Sequence, residues 1–95
     1  MTNYELMFII NPTLEDEKKE AITATVQEII ATDGKVDNVD VWGLRRLAYP
    51  IQKMNEGYYV VVTFSAGPEL PKELDRRLRN NENVIRHMIV CKDEK

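Results

Sequence analysis

Seven consecutive residues, Tyr58-Tyr59-Val60-Val61-Val62-Thr63-Phe64, are all β-branched or aromatic. Such side chains lose rotamer freedom in a helix but pack well on a pleated surface, so the run specifies a strand. A strand leaves its backbone N–H and C=O groups needing partners, and the rest of the chain must supply them. Three other segments can do so. Tyr4 to Ile10 is apolar and ends at Asn11-Pro12, where proline cannot donate to a ladder. Val36, Val39, Val41, Trp42, Leu44 and Leu47 mark a long strand whose apolar residues do not alternate cleanly, which predicts a bulge or bend near Gly43. Pro50 marks the point where its ladder loosens, and Asn55-Glu56-Gly57 reads as the turn of an antiparallel hairpin with the Tyr58 run. Val84 to Cys91 is the last strand.

Two helical patterns lie between these strands. Thr13 is placed to cap the first, with Glu15, Asp16 and Glu17 near its positive end. Ile22, Val26, Ile29 and Ile30 then form one apolar stripe, and Gly34 suits a left-handed turn after it. Gly67-Pro68 breaks the Tyr58 strand. Leu70, Leu74 and Leu78 recur on one face of the second helix, Pro71 fits its first turn, and Asn80-Asn81 closes it. The order strand, helix, strand, strand, helix, strand predicts an α+β fold of the ferredoxin-like βαββαβ kind. It has a four-stranded antiparallel sheet with two helices on one face, one domain spanning 1–95. The other sheet face is left open.

Composition narrows the function. One cysteine, Cys91, allows no intrachain disulfide, and with a single histidine, His87, no structural zinc set is expected. This suits a reducing cytoplasm. No apolar run approaches the ~20 residues of a membrane span, and the start of the chain lacks the pattern of a signal peptide. The net charge is -3, but residues 1–40 carry a balance of -6 and residues 41–92 a balance of +4. Phosphate binding depends on a local basic patch and not on the total, but charge asymmetry by itself favours the plainer reading that both halves are solvated surface.

Alternation along strands assigns the faces. Leu6, Phe8 and Ile10, then Tyr58, Val60, Val62 and Phe64, then Ile85, His87, Ile89 and Cys91 are expected to face the helices. Met7, Ile9, Tyr59, Val61, Met88 and Val90 then form an apolar patch on the open face, alongside Thr63 and Arg86. A patch of this kind marks a protein partner. The basic residues expected to hold RNA phosphates are Arg45, Arg46, Lys53, Arg79, Arg86 and Lys92, with one of Arg45 and Arg46 on the open face. Arg76, Arg77 and Arg79 also suit the negative end of the second helix.

The strand order is shared with RNA recognition motifs, which stack bases on aromatic rings at alternate positions of the third strand. Here Tyr58 and Tyr59 are adjacent and point to opposite faces, and Met7 stands where a ring is wanted. One exposed ring is a poor platform, so base stacking is disfavoured. Catalysis is also disfavoured. His87 and Cys91 are four apart on a strand, roughly 13 Å, and the chain lacks a glycine-rich phosphate loop. No cofactor, metal or small-molecule substrate is expected. A ferredoxin-like small-molecule regulatory domain is the alternative that composition leaves open.

The run Trp42-Gly43-Leu44-Arg45-Arg46-Leu47-Ala48-Tyr49-Pro50-Ile51 resembles the most recognisable segment of the bacterial small-subunit ribosomal protein number six family. Tyr4-Glu5, Asn11-Pro12, Gly57-Tyr58-Tyr59 and Asn83-Val84-Ile85-Arg86-His87-Met88 add to it in the same order. The resemblance covers essentially the whole chain and implies the ferredoxin-like fold. It also implies binding to the central domain of small-subunit ribosomal RNA, as a heterodimer with ribosomal protein number eighteen. Some members carry a long acidic tail that is extended with glutamates; this chain ends at Asp93-Glu94-Lys95, and that modification is not expected of it.

Overall fold

A computed structural model of the chain describes residues 2–51 and 54–92, and the side chains of all of these except 48–51 and 54. Its elements run β1 (Thr2–Ile10), α1 (Asp16–Ala31), β2 (Gly34–Ile51), β3 (Met54–Ala66), α2 (Leu70–Arg79) and β4 (Val84–Cys91). The four strands form one antiparallel sheet in the order β2-β3-β1-β4. This is the expected ferredoxin-like arrangement. β1 and β3 are interior, and each is paired on both sides.

The β1–β3 ladder is unbroken from Thr2 opposite Ala66 to Ile10 opposite Tyr58. It sets Leu6 against Val62 and Phe8 against Val60, and all four side chains are fully buried. Ile22, Val26, Ile29 and Ile30 of α1 and Leu70, Leu74 and Leu78 of α2 close over them as one cluster. Both helices therefore cover the same sheet face, and the alternation assigned to the first and third strands holds.

Four local expectations are corrected. Thr13 does not cap α1, which starts at Asp16 with no side-chain cap bond. Instead the Thr13 amide and hydroxyl both donate to Asn11 Oδ1, a local turn that competes with capping. Asn55-Glu56-Gly57 is not the hairpin turn: β3 includes it, with Gly57 opposite Arg45 and Glu56 opposite Arg46. Continued pairing with β2 outweighs the turn preference of these residues, and Ile9 Cγ2 and Leu47 Cδ2 converge on the space above Gly57 that a β-carbon would fill. In β4, the register shifts so that Ile10 faces Val84 and Ile9 faces Arg86. Ile85 is the extra residue of this bulge, and Val84 takes the core position expected for it. Cys91 lies on the helix side opposite Tyr4 but is exposed, in an open groove with Pro71 and Ile89.

Gly34 is the fourth. It starts β2 opposite Ala66, and its role is close approach to β3, not a left-handed turn. A β-carbon there would stand 2.3 Å from the Ser65 carbonyl oxygen and 2.8 Å from the Ala66 Cβ. Backbone cannot yield as a side-chain tip can. Gly34→Ala is therefore expected to destabilise the fold by ~1–3 kcal/mol, the usual cost of overpacking. Phe8→Ala should cost ~3–5 kcal/mol through the cavity it leaves. Urea unfolding of both variants checks the pair; a neutral Gly34→Ala would show that β2 can shift away from β3.

Candidate nucleic-acid and partner-protein interface

The uncovered sheet face is built by the side chains that alternate with the core set. Met7 lies between Val61 and Met88, and Ile9 lies between Tyr59 and Arg86. Met88 and Val90 are 46% and 42% exposed, whereas Ile9 and Val61 are only 4% and 9% exposed. The face thus has a buried floor of Ile9 and Val61. Away from β2, its accessible apolar surface comes mainly from Met88 and Val90 on the β4 edge, with Met7 and Tyr59 half-buried between.

The β2 side of the face carries a feature that alternation alone did not reveal. The register shifts between Val41 and Gly43, so that Val41 faces Val60 while Gly43 faces Tyr59. Gly43 has φ +78°, a left-handed conformation that costs glycine little. Trp42 is the extra residue. Its ring stacks on Tyr59 with centroids 6.3 Å apart and planes 11° from parallel. Its indole Nε1–H donates to Asp40 Oδ2 at 2.9 Å. The broken alternation of β2 predicts the bulge but not this consequence. The available signal was the Trp-Gly pair itself, since a glycine at a bulge re-aims the residue beside it.

The six expected RNA-binding residues do not form one cluster. Arg45 is paired with Gly57, two residues before Tyr59, and so shares the open face. Arg46, the next residue, takes the opposite side. Arg86 lies on the open face opposite Ile9. Lys92 follows Val90 by two and its Nζ is 3.6 Å from Glu5 Oε2. Arg79 sits on α2, in the other layer, ion-paired with Asp75. Lys53 lies outside the described residues. Among the described residues, Arg45 and Arg86 make no ion pair, which leaves two unneutralised guanidinium groups on the open face.

The end of α2 is electrostatically different. Arg76 Nη2 and Arg77 Nε donate to Glu73 Oε1 at 2.7 and 2.8 Å. These bonds pull the Glu73 carboxyl down to about 2 and raise Arg76. His87 Nε2 lies 2.6 Å from Asp75 Oδ1, joining β4 to α2. This bond, helped by Arg79, holds the Asp75 carboxyl below the usual carboxylate range. His87, with its side chain 15% exposed, faces the helices as expected.

The ribosomal protein S6 family model matches residues 3–91. The chain belongs to the ribosomal protein S6 family. Small ribosomal subunit protein bS6 of Clostridioides difficile is 53% identical over 90 residues, covering 95% of this chain and 98% of that protein. The bS6 of Alkaliphilus oremlandii is 51% identical over 90 residues, covering 95% and 96%. The crystal structure of 30S ribosomal protein S6 from Thermotoga maritima superposes with a TM-score of 0.91 at 35% identity, covering 96% of this chain and 87% of that one. The resemblance read from the Trp42–Ile51 run is thereby confirmed, and so is the fold it implied.

In this S6-family chain the α2 ion pairs generate a pH expectation. A carboxylate whose pKa falls on folding stabilises the native state above its unfolded value, and the contribution is lost as pH drops through the folded value. For Glu73 the window runs from about 4.5 down to about 2. The melting-temperature difference between wild type and Glu73→Gln should be full at pH 6 and vanish near pH 2. It should also shrink in 1 M salt, because these groups are exposed. A difference that stays flat across that pH range would mean the pairs do not hold in solution.

Proposed function

We propose that this small-subunit ribosomal protein, of the cytoplasmic ribosome, is a non-catalytic RNA-binding component. It binds the central domain of small-subunit ribosomal RNA jointly with ribosomal protein number eighteen. The observation that carries the reading is the open sheet face. Apolar surface at Met7, Tyr59, Met88 and Val90 lies beside two arginines, Arg45 and Arg86, that no described carboxylate neutralises. The apolar part fits a protein and the arginines fit phosphates. Ile9 and Val61 back this surface from beneath. Lys92 adds to the cationic rim once Glu5 is displaced, and Arg46 approaches phosphates from the other side of the β2–β3 arm. Arg79 contributes least, because Asp75 already holds it.

A net charge of -3 is unfavourable for an RNA-binding protein acting alone. The partner therefore supplies much of the positive charge, and binding to a central-domain RNA fragment should be weak without it and tight with it. Equal, tight binding in both cases would overturn the joint reading. Arg45→Ala with Arg46→Ala should leave the melting temperature nearly unchanged and lower the salt slope of RNA binding by about one unit per lost phosphate contact. Met88→Ala should weaken affinity for the partner protein by about tenfold, roughly 1.5 kcal/mol of lost burial. Unchanged partner affinity would remove Met88 from the interface.

A further inference from the structure

We propose that Trp42 is a stacking platform for one unpaired base of the bound RNA, with Arg45 on the adjoining phosphate. This goes beyond the RNA-binding reading and rests on it. A tryptophan that is 44% exposed would ordinarily be free to change rotamer. Here it is held from two directions: the indole N–H donates to Asp40, and one ring face lies on Tyr59. The half-exposed ring is thus already ordered, so little side-chain entropy is lost when a further ring stacks on it. Tyr59 and Trp42 make an offset pair of nearly parallel rings, and a nucleobase on the remaining face of Trp42 adds a third. The single-ring objection to base stacking is removed, because the bulge at Gly43 brings a second ring to the face.

The charges around the ring pair give the strand a direction. Asp40 lies two residues before Trp42, opposite Val61, and repels phosphate. Arg45 lies beyond Gly43 at the other end, opposite Gly57, and attracts it. Arg86 is reached from Tyr59 by crossing β1, about two strand spacings or ~10 Å. A nucleotide on Trp42 therefore has its backbone on the Arg45 side, running away from Asp40, with Arg86 available to a phosphate further along. Such contacts accept any base, since every base has a stacking face. The β4 side of the same face, Met88 and Val90, has no ring to offer and remains with the partner protein.

Trp42 is the only tryptophan in the chain, so its emission reports on the site directly. The test uses the full chain with ribosomal protein number eighteen and a central-domain RNA fragment. Adding RNA should quench Trp42 emission, and so should a single-stranded oligoadenylate at higher concentration. Trp42→Leu should lower RNA affinity on the order of tenfold, within the range for one stacked base, while leaving the salt slope unchanged. Trp42→Phe should recover most of the affinity, and serves as the test if Trp42→Leu melts early. Arg45→Ala should lower the salt slope instead. Two results would overturn the inference: Trp42 variants that bind RNA as tightly as wild type, or quenching complete on adding the partner protein with no further change on adding RNA. In either case, binding that stays tight and salt-dependent leaves the RNA reading standing. Loss of all RNA binding by the wild-type pair would remove both.

Discussion

The β1–β3 ladder is the constraint on which the rest of the molecule depends. Side chains in a strand alternate with a period of two, so slipping the pairing by one residue would exchange the two faces of the sheet. Phe8, Leu6 and Ile10 are fully buried against the helices, while Met7 between them turns outward. Exchanging these sets would put Phe8 in water and leave the helices without a floor. The same ladder that buries the core therefore decides which residues are available to partners. Folding and function share one register, and the helices enforce it by giving only one face a place to be buried.

The edges of the sheet are treated differently from its centre. β2 is an edge strand of 18 residues, and its ladder with β3 shifts register at three places. Bulges twist and interrupt an edge, which limits pairing with other chains. At the second of these shifts the extra residue is Trp42, so the device that breaks the edge also builds the ring stack. β4, the other edge, is short and carries its own bulge at Ile85. It is tied to α2 by His87 and Asp75, a polar contact between layers that otherwise meet through Leu74, Leu78 and Val84.

The cations divide by their neighbours. Arg76, Arg77 and Arg79 follow acids on their own helix by three or four residues and are paired with them. Such exposed pairs contribute little to stability, but they neutralise charge that would otherwise attract phosphate. Arg45 and Arg86 are on strands, and among the described residues no carboxylate pairs with them. A sum over the sequence counts all these residues alike, and gives an acidic protein; local geometry separates those already engaged from those free to bind.

Much of this protein was legible in its sequence, because the deciding signals are local. The period-two and period-3.6 patterns gave the six elements, and alternation gave Leu6, Phe8, Val60 and Val62 to the core and Met7, Tyr59 and Met88 to the open face. The Trp42–Ile51 run pointed to the family. The corrected positions have two causes. Thr13 is diverted by a local turn with Asn11, whereas the roles of the Asn-Glu-Gly segment, Gly34 and Ile85 are set by the strand that lies opposite. A bulge adds one residue to one strand and resets every facing beyond it, and a sequence with no partner strand in view cannot place that step. The placement of Trp42 on Tyr59 and the burial of Ile9 and Leu47 above Gly57 were therefore decided only by tertiary pairing. So was the separation of Arg45 and Arg86 from the paired arginines of α2, since an unneutralised charge depends on neighbours that only the folded chain brings together.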